Sequence, residues 1–352
     1  MKRLRFMLCV AVLVTMSFVG CGKASNDMND AKQDATSNEN QVAESDNEKP
    51  EEEESLNVRV ASLKGPTSLG MLQMMNAAKE GKLSNQYEFN IVQAADEIVT
   101  KVVKGEIDVA LVPANVASVL YQKTEKKVEV IDINTLGVLY VVEHGDSIQS
   151  VKDLAGKTIC MTGKGQVPEY ALSYILGKHE MSMEDVTVEF KSEPAEVISF
   201  LETKEDAVGI IPMPFASAAT MKDSSLRLAL NLTDEWNKVD DTSTLITGVT
   251  IARKEFVEQH QKAIDRFLEE HVKSVEYVNA NVEEAAAWAE ESDIVKAPVA
   301  MNAIPYCNLV AISGDEMKTK LSGYLQTLFD ANPQSVGGTL PDEGFYYEST
   351  TK

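Results

Sequence analysis

Val151 to Tyr170 reads V-K-D-L-A-G-K-T-I-C-M-T-G-K-G-Q-V-P-E-Y, and the rest of the chain repeats its pattern. A short apolar strand (Thr158 to Met161) enters a Gly-rich loop (Thr162 to Gly165), and a helix starts near Pro168. Proline suits the first helical turn, where its missing N–H costs nothing. A loop of this kind aims backbone N–H groups above the strand end, a setting that attracts anions and other acceptors. An earlier copy runs from Val58 to Met71: a strand, then Lys64-Gly65-Pro66-Thr67-Ser68, then a helix. Two such units roughly a hundred residues apart predict two lobes that face each other.

Working outward, apolar runs and helical patterns alternate. Leu56 to Leu63, Tyr87 to Val92 and Ile107 to Val112 read as strands, with helices at Leu69 to Ala78, Glu97 to Lys104 and Val116 to Tyr121. This order implies βαβ units with right-handed crossovers. Val128 to Val142 is the longest β-rich stretch, and its end (Leu136 to Val142) reads as a passage from the first lobe to the second. Further strands are expected at Val186 to Phe190, Ala207 to Ile211 and Leu228 to Leu232, with helices at Glu169 to Gly177 and Glu193 to Thr203. Leu245 to Ala252 reads as the returning crossover. Pro212-Met213-Pro214-Phe215 then occupies the place in the second lobe that Pro113-Ala114-Asn115 holds in the first. From Glu255 an amphipathic helix carries Phe256, Ile264, Phe267, Leu268, His271, Val275 and Val278 on one stripe. Asn281 with Glu284 fits a capping box opening the next helix, and Trp236 falls in a polar stretch. The last helix covers Gly314 to Ala331.

The N-terminus is a different kind of sequence. Basic residues at Lys2, Arg3 and Arg5 precede an apolar run from Phe6 to Gly20, the composition of an export signal. It is shorter than the roughly twenty residues a membrane span takes. Gly22 to Ser55 is rich in Asn, Asp, Ser and Glu, ends in Glu51-Glu52-Glu53-Glu54, and has too few large apolar residues to offset its ordering entropy. The expectation is a disordered tether. About 297 residues remain from Leu56 onward, enough for two lobes. A net charge of −22 argues against nucleic acid, whose binding needs a basic stripe. Cys160 and Cys307 read as small buried hydrophobes.

Each loop also supplies candidate contacts. Lys64 and Lys164 could meet an anion beside the N–H groups of Gly65, Gly163 and Gly165. Thr67, Ser68 and Thr162 offer hydroxyls at helix entrances, though capping alone would use them. Asn115 is a cap or an amide donor. Tyr170 and Phe215 could flank a ring. Asp96, Glu97 and Glu169 could pair with an amino group, or answer the helix dipole. The four histidines lack metal spacing, Gly163-Lys164-Gly165 is not a nucleotide-binding P-loop, and no G-x-S-x-G elbow occurs.

Three segments carry a family likeness: Gly105-Glu106-Ile107-Asp108-Val109-Ala110, Val151 to Ile159, and the Arg253 to Glu269 helix followed by Val278-Asn279-Ala280-Asn281. Together they resemble ABC-importer solute-binding proteins, within these the nitrate/sulfonate/taurine type that includes binders of thiamine pyrimidine precursors. Phe18-Val19-Gly20-Cys21 resembles the lipobox of bacterial lipoproteins, with Phe18 in place of the usual Leu. The resemblance covers Leu56 to about Ala331 and the leader. It implies an α/β periplasmic-binding-protein type II fold, two doubly wound sheets joined by two hinge strands. Its expected parts are a signal peptide (1–20), lipidated Cys21 with the tether (21–55), lobe I (56–137 and 248–352) and lobe II (138–247). It further implies an anchored, extracytoplasmic monomer without cofactor or metal, delivering a small polar solute to an ABC permease and ATPase. The ligand-binding residues it implies are Lys64, Gly65, Pro66, Thr67, Ser68, Asp96, Asn115, Thr162, Gly163, Lys164, Gly165, Tyr170, Pro214 and Phe215. The alternative is an enzyme or biosynthetic protein reusing the fold, related to pyrimidine-precursor synthases, whose Cys-rich iron segment is missing here.

Overall fold

The β-branched alternation after Leu56 forms strand β1 (Asn57–Leu63), and the chain turns at Gly65 into two short helices, α1 (Pro66–Leu69) and α2 (Leu72–Lys79). The computed structural model describes residues 56–204 and 206–348. The leader, Cys21 and the acidic tether lie outside the described residues. Strand β2 (Gln86–Val92), helix α3 (Ala95–Val103), strand β3 (Val109–Pro113) and helix α4 (Ala114–Lys123) follow. β1 pairs in parallel with both β2 and β3, as the alternating pattern predicts. β3 is an almost wholly buried run, the composition expected of a parallel strand covered on both faces.

The long β-rich stretch is divided at Gly137. β4 (Val128–Leu136) belongs to the first sheet and β5 (Leu139–His144) to the second. A Cβ at Gly137 would stand 2.3 Å from Thr233 Oγ1 and 2.6 Å from the Leu245 side chain. Only glycine fits where these chains cross. Its carbonyl accepts from Thr233 Oγ1 at 2.9 Å and from Asn308 Nδ2 at 2.6 Å.

The second sheet takes β6 (Thr158–Thr162), helix α5 (Val167–Lys178), β7 (Thr187–Lys191), α6 (Pro194–Leu201), β8 (Val208–Pro212), α7 (Phe215–Lys222), β9 (Leu226–Asn231) and α8 (Leu232–Asn237). Strand β10 (Ile246–Arg253) then returns to the first sheet, antiparallel to β3 and β4. After it come α9 (Lys254–Gln259), α10 (Gln261–Ala280), α11 (Val282–Glu291), α12 (Ala297–Ala303), β11 (Leu309–Ile312) and α13 (Gly314–Ala331). The sheet orders are β11-β4-β10-β3-β1-β2 and β7-β6-β8-β5-β9.

Three expectations are corrected. The helix from Glu255 is two helices, because His260 leaves the helical region (φ −137°, ψ 44°) and its carbonyl accepts from Ala263 N at 2.9 Å. The apolar stripe on it is nevertheless buried except for Leu268, which is partly exposed, and His271 is bonded to Asp132 at 2.7 Å in the core. Asn281 makes no capping box: its Nδ2 donates to Tyr277 O, and Glu284 accepts from Tyr277 OH. Trp236 lies in α8 at 1% exposure, stacked on Tyr174 at 4.0 Å and edge-on to Tyr324 at 5.9 Å. Its indole N–H donates to Ser243 at 2.9 Å. Through these rings α5 and α8, beside the second sheet, pack onto α13, beside the first.

Candidate functional site

Strands β3, β6 and β8 all end at Pro or Gly-rich turns, and these ends converge on a cavity of about 530 Å³. Pro113 ends β3 and Asn115 lies in the first turn of α4, Thr162 ends β6, Gly165 lies in the loop after it and Tyr170 in the first turns of α5, and Pro212 ends β8. Leu245, Ile246 and Thr247 from the returning strand form part of its wall. Placement at carboxyl strand ends is where open α/β sheets seat ligands, and the volume suits a small molecule.

Two hydrogen bonds tie lining residues together. Tyr170 OH donates to Gly165 O at 2.6 Å and accepts from Asn332 Nδ2 at 3.0 Å. Asn332 itself is oriented by accepting from Gln334 N at 3.1 Å. The Gly163 turn is tight enough to need glycine, with φ +86° and a would-be Cβ 2.8 Å from the Pro168 ring.

The predicted residues are not all brought together. Asn115, Thr162, Gly165 and Tyr170 line this cavity. Lys64, Gly65, Pro66, Pro214 and Phe215 line another of about 350 Å³, walled by Leu69, Ile294, Val295 and Val299. The expectation that the two glycine loops face each other across one crevice is therefore corrected. Met213 is the reason: it is 2% exposed, and its N–H donates to Val138 O at 2.9 Å. With Pro212 on one cavity and Pro214 on the other, this turn divides the space.

The remaining candidates have other occupations. Thr67 and Ser68 are inside α1 rather than capping it, and their hydroxyls donate to Leu63 O and Gly65 O at 3.2 and 2.9 Å. Asp96 is exposed in the first turn of α3 and lines neither cavity. Lys64 is paired with Asp293 at 3.0 Å, and Lys164 lies over the Phe190 ring at 5.8 Å. Gly163 shapes its turn without lining the cavity. The Gly165 N–H, expected free for a ligand, is taken by the Glu169 carboxylate. Asn115 is not the cap of α4, which is Pro113, and its Nδ2 lies 3.4 Å from Ser335 O.

Several lining residues carry no signal in sequence: Thr247, Tyr324, Asn332, Gln334 and Ser335. The last three follow the final predicted helix. The chain turns back there because Pro333–Val336 packs on α4, with Ser118 Oγ donating to Val336 O at 2.7 Å.

With the geometry in view, known proteins place the chain. Residues 128–285 match the family model "NMT1/THI5 like". None of the curated protein sequences matches. An ABC transporter protein from Parabacteroides distasonis superposes with a TM-score of 0.69 at 22% identity, over 83% of this chain and 99% of that one. The periplasmic aliphatic sulphonate binding protein SsuA from Escherichia coli gives 0.65 at 15% identity, over 84% and 92%. A sulfonate-binding SsuA from Methylobacillus flagellatus gives 0.60 at 17%, over 83% and 91%. The fold is the two-lobed type II binding-protein fold. The family match and the fold bear out the likeness read from the sequence. Among the described residues, no helix is long and apolar enough to cross a membrane, and no cluster of His, Cys, Asp and Glu could hold a metal.

Proposed function

We propose that the chain is an extracytoplasmic solute receptor of an ABC importer, tethered through lipidated Cys21 and the acidic segment that follows. Its lobes are residues 56–137 with 248–352, and 138–247. A small polar solute binds between Asn115 on one lobe and Thr162, Gly165 and Tyr170 on the other, and is delivered to a permease and its ATPase. The mechanism is closure about the β4–β5 and β10 connections: contacts made by both lobes at once favour the closed state over the open one.

The observation carrying this reading is the 530 Å³ cavity, whose walls come from both sheets and from the strand that joins them. Its lining includes no carboxylate, amine, imidazole or thiol, so it offers binding groups and no general base of the usual kind. That composition supports capture over the alternative of an enzyme reusing the fold.

The test is retention. The full chain is equilibrated with a metabolite extract, washed, denatured, and the released compounds are weighed by mass spectrometry. One small solute should come off unchanged, and adding it back should raise the melting temperature. A hundredfold excess over Kd stabilises by about 2.7 kcal/mol. An eluate with no bound solute defeats the receptor reading, and a chemically altered one favours the enzyme.

A further inference from the structure

The electrostatics of the amide-lined cavity narrow what it holds. The lysines of the two glycine loops are both diverted, Lys64 to Asp293 and Lys164 to the face of Phe190. None of the lining side chains is charged. An anion buried there would have no counter-charge, and burying an unpaired charge is costly. A helix start can compensate an anion, but α5 already meets one of its own: Glu169, at its third residue, holds Gly165 N–H. A second negative charge beside Gly165 would be repelled by that carboxylate.

The polar groups that remain are neutral. Tyr324 lines the cavity at 1% exposure, and among the described residues its hydroxyl makes no hydrogen bond. Burial alone raises its pKa, so the phenol stays protonated and is a donor. The hydroxyl oxygen is not sealed from solvent, so it opens onto the cavity, where a ligand acceptor can take the place of water. Asn115 and Gln166 add amides, and Pro113, Pro168, Pro212 and Tyr170 supply flat apolar walls.

We infer that the solute, on the receptor reading above, is an uncharged ring compound whose carbonyl or hydroxyl oxygen accepts from Tyr324, and not a sulfonate or other anion. The ring lies between the proline faces, and the amides meet its edge. Recognition of this kind rejects an ionised isostere, because the site has nothing to pair with the charge.

Matched probes separate the cases. Nicotinamide against nicotinate, and benzenesulfonamide against benzenesulfonate, differ in charge at nearly constant shape. The neutral member should raise the melting temperature of the full chain, and the anion should not. Anions binding as well or better overturn the inference while the receptor reading stands. If no probe binds, the solute retained from extract decides: a neutral ring supports the inference, and an anion overturns it. An empty eluate fails the receptor reading, and this inference with it. Tyr324→Phe should weaken the bound neutral compound by roughly three- to tenfold, the value of one neutral hydrogen bond. Equal affinity in that variant, with an unchanged melting curve, removes Tyr324 from the contact.

Discussion

The two cavities between the sheets are built from nearly the same parts, yet only one of them carries amides and hydroxyls among its apolar walls. Each takes a glycine loop from one lobe and a proline turn from the other. The one beside Gly65 is walled by Leu69, Ile294, Val295 and Val299, with the Lys64–Asp293 pair at residues 64 and 293. The one beside Gly165 is lined by amides, hydroxyls and prolines and is crossed by the Tyr170–Asn332 hydrogen bond. The difference comes from which other segment stands beside each loop. Near Gly65 it is the 292–299 segment leading into α12, and Ser217 of α7 donates to Asn302 O at 3.2 Å, so that side is a packed seam. Near Gly165 it is α13 and the turn after it. A repeated local motif thus has one copy in packing and one in a largely apolar cavity that carries a few amides and hydroxyls.

This contrast can be broken in three places. The largest effect is expected at the aromatic seam beside the amide-lined cavity. Trp236→Ala removes a buried ring that touches both Tyr174 and Tyr324, and should destabilise by about 3–5 kcal/mol in urea melts. A loss below 1 kcal/mol would mean that the two sheets are not held together there. Next, the cavities can be filled one at a time. Thr162→Trp should weaken retained solute by on the order of a hundredfold, about 2.7 kcal/mol, whereas Ala218→Phe in the apolar cavity should change it by less than about threefold. The reverse ranking would move the binding site to the Gly65 side.

The smallest effect is electrostatic. Burial works against ionisation of Asp240, but hydrogen bonds from Ser243, Tyr174 and Thr242 outweigh it and hold its carboxyl well below the usual carboxylate range. On the other side of the bond, burial and the Asp240 contact push Tyr174 up to about 12. A depressed folded pKa gives stability that is present above the unfolded value near 3.8 and is lost as pH falls through the folded one. Asp240→Asn should therefore lower the melting temperature at pH 7, with the gap to the parent chain shrinking below about pH 4. A gap constant from pH 7 to pH 2 would show that the ionised form adds nothing.

Most strands and helices were legible because their signals are local. The β1 alternation, the apolar run of β3 and the helical stripe from Phe256 to Val278 each bury the side chains their periodicity marks. The short elements α8, α12 and β11 were not legible, since a few residues carry no period and gain their structure from tertiary burial. The site divides in the same way. Asn115, Thr162, Gly165 and Tyr170 follow recognisable strand ends, whereas Tyr324 and Asn332 reach the cavity only through the path of α13 and the turn behind it.

By itself, then, the sequence determined the alternation of strand and helix, the glycine and proline turns, and the strand that leaves one sheet and the strand that comes back, because each rests on a few neighbouring residues. Which loop faces which was decided by the tertiary structure alone. Met213, buried against Val138, splits one expected crevice into two, and contact between residues so distant along the chain leaves no periodic trace in it.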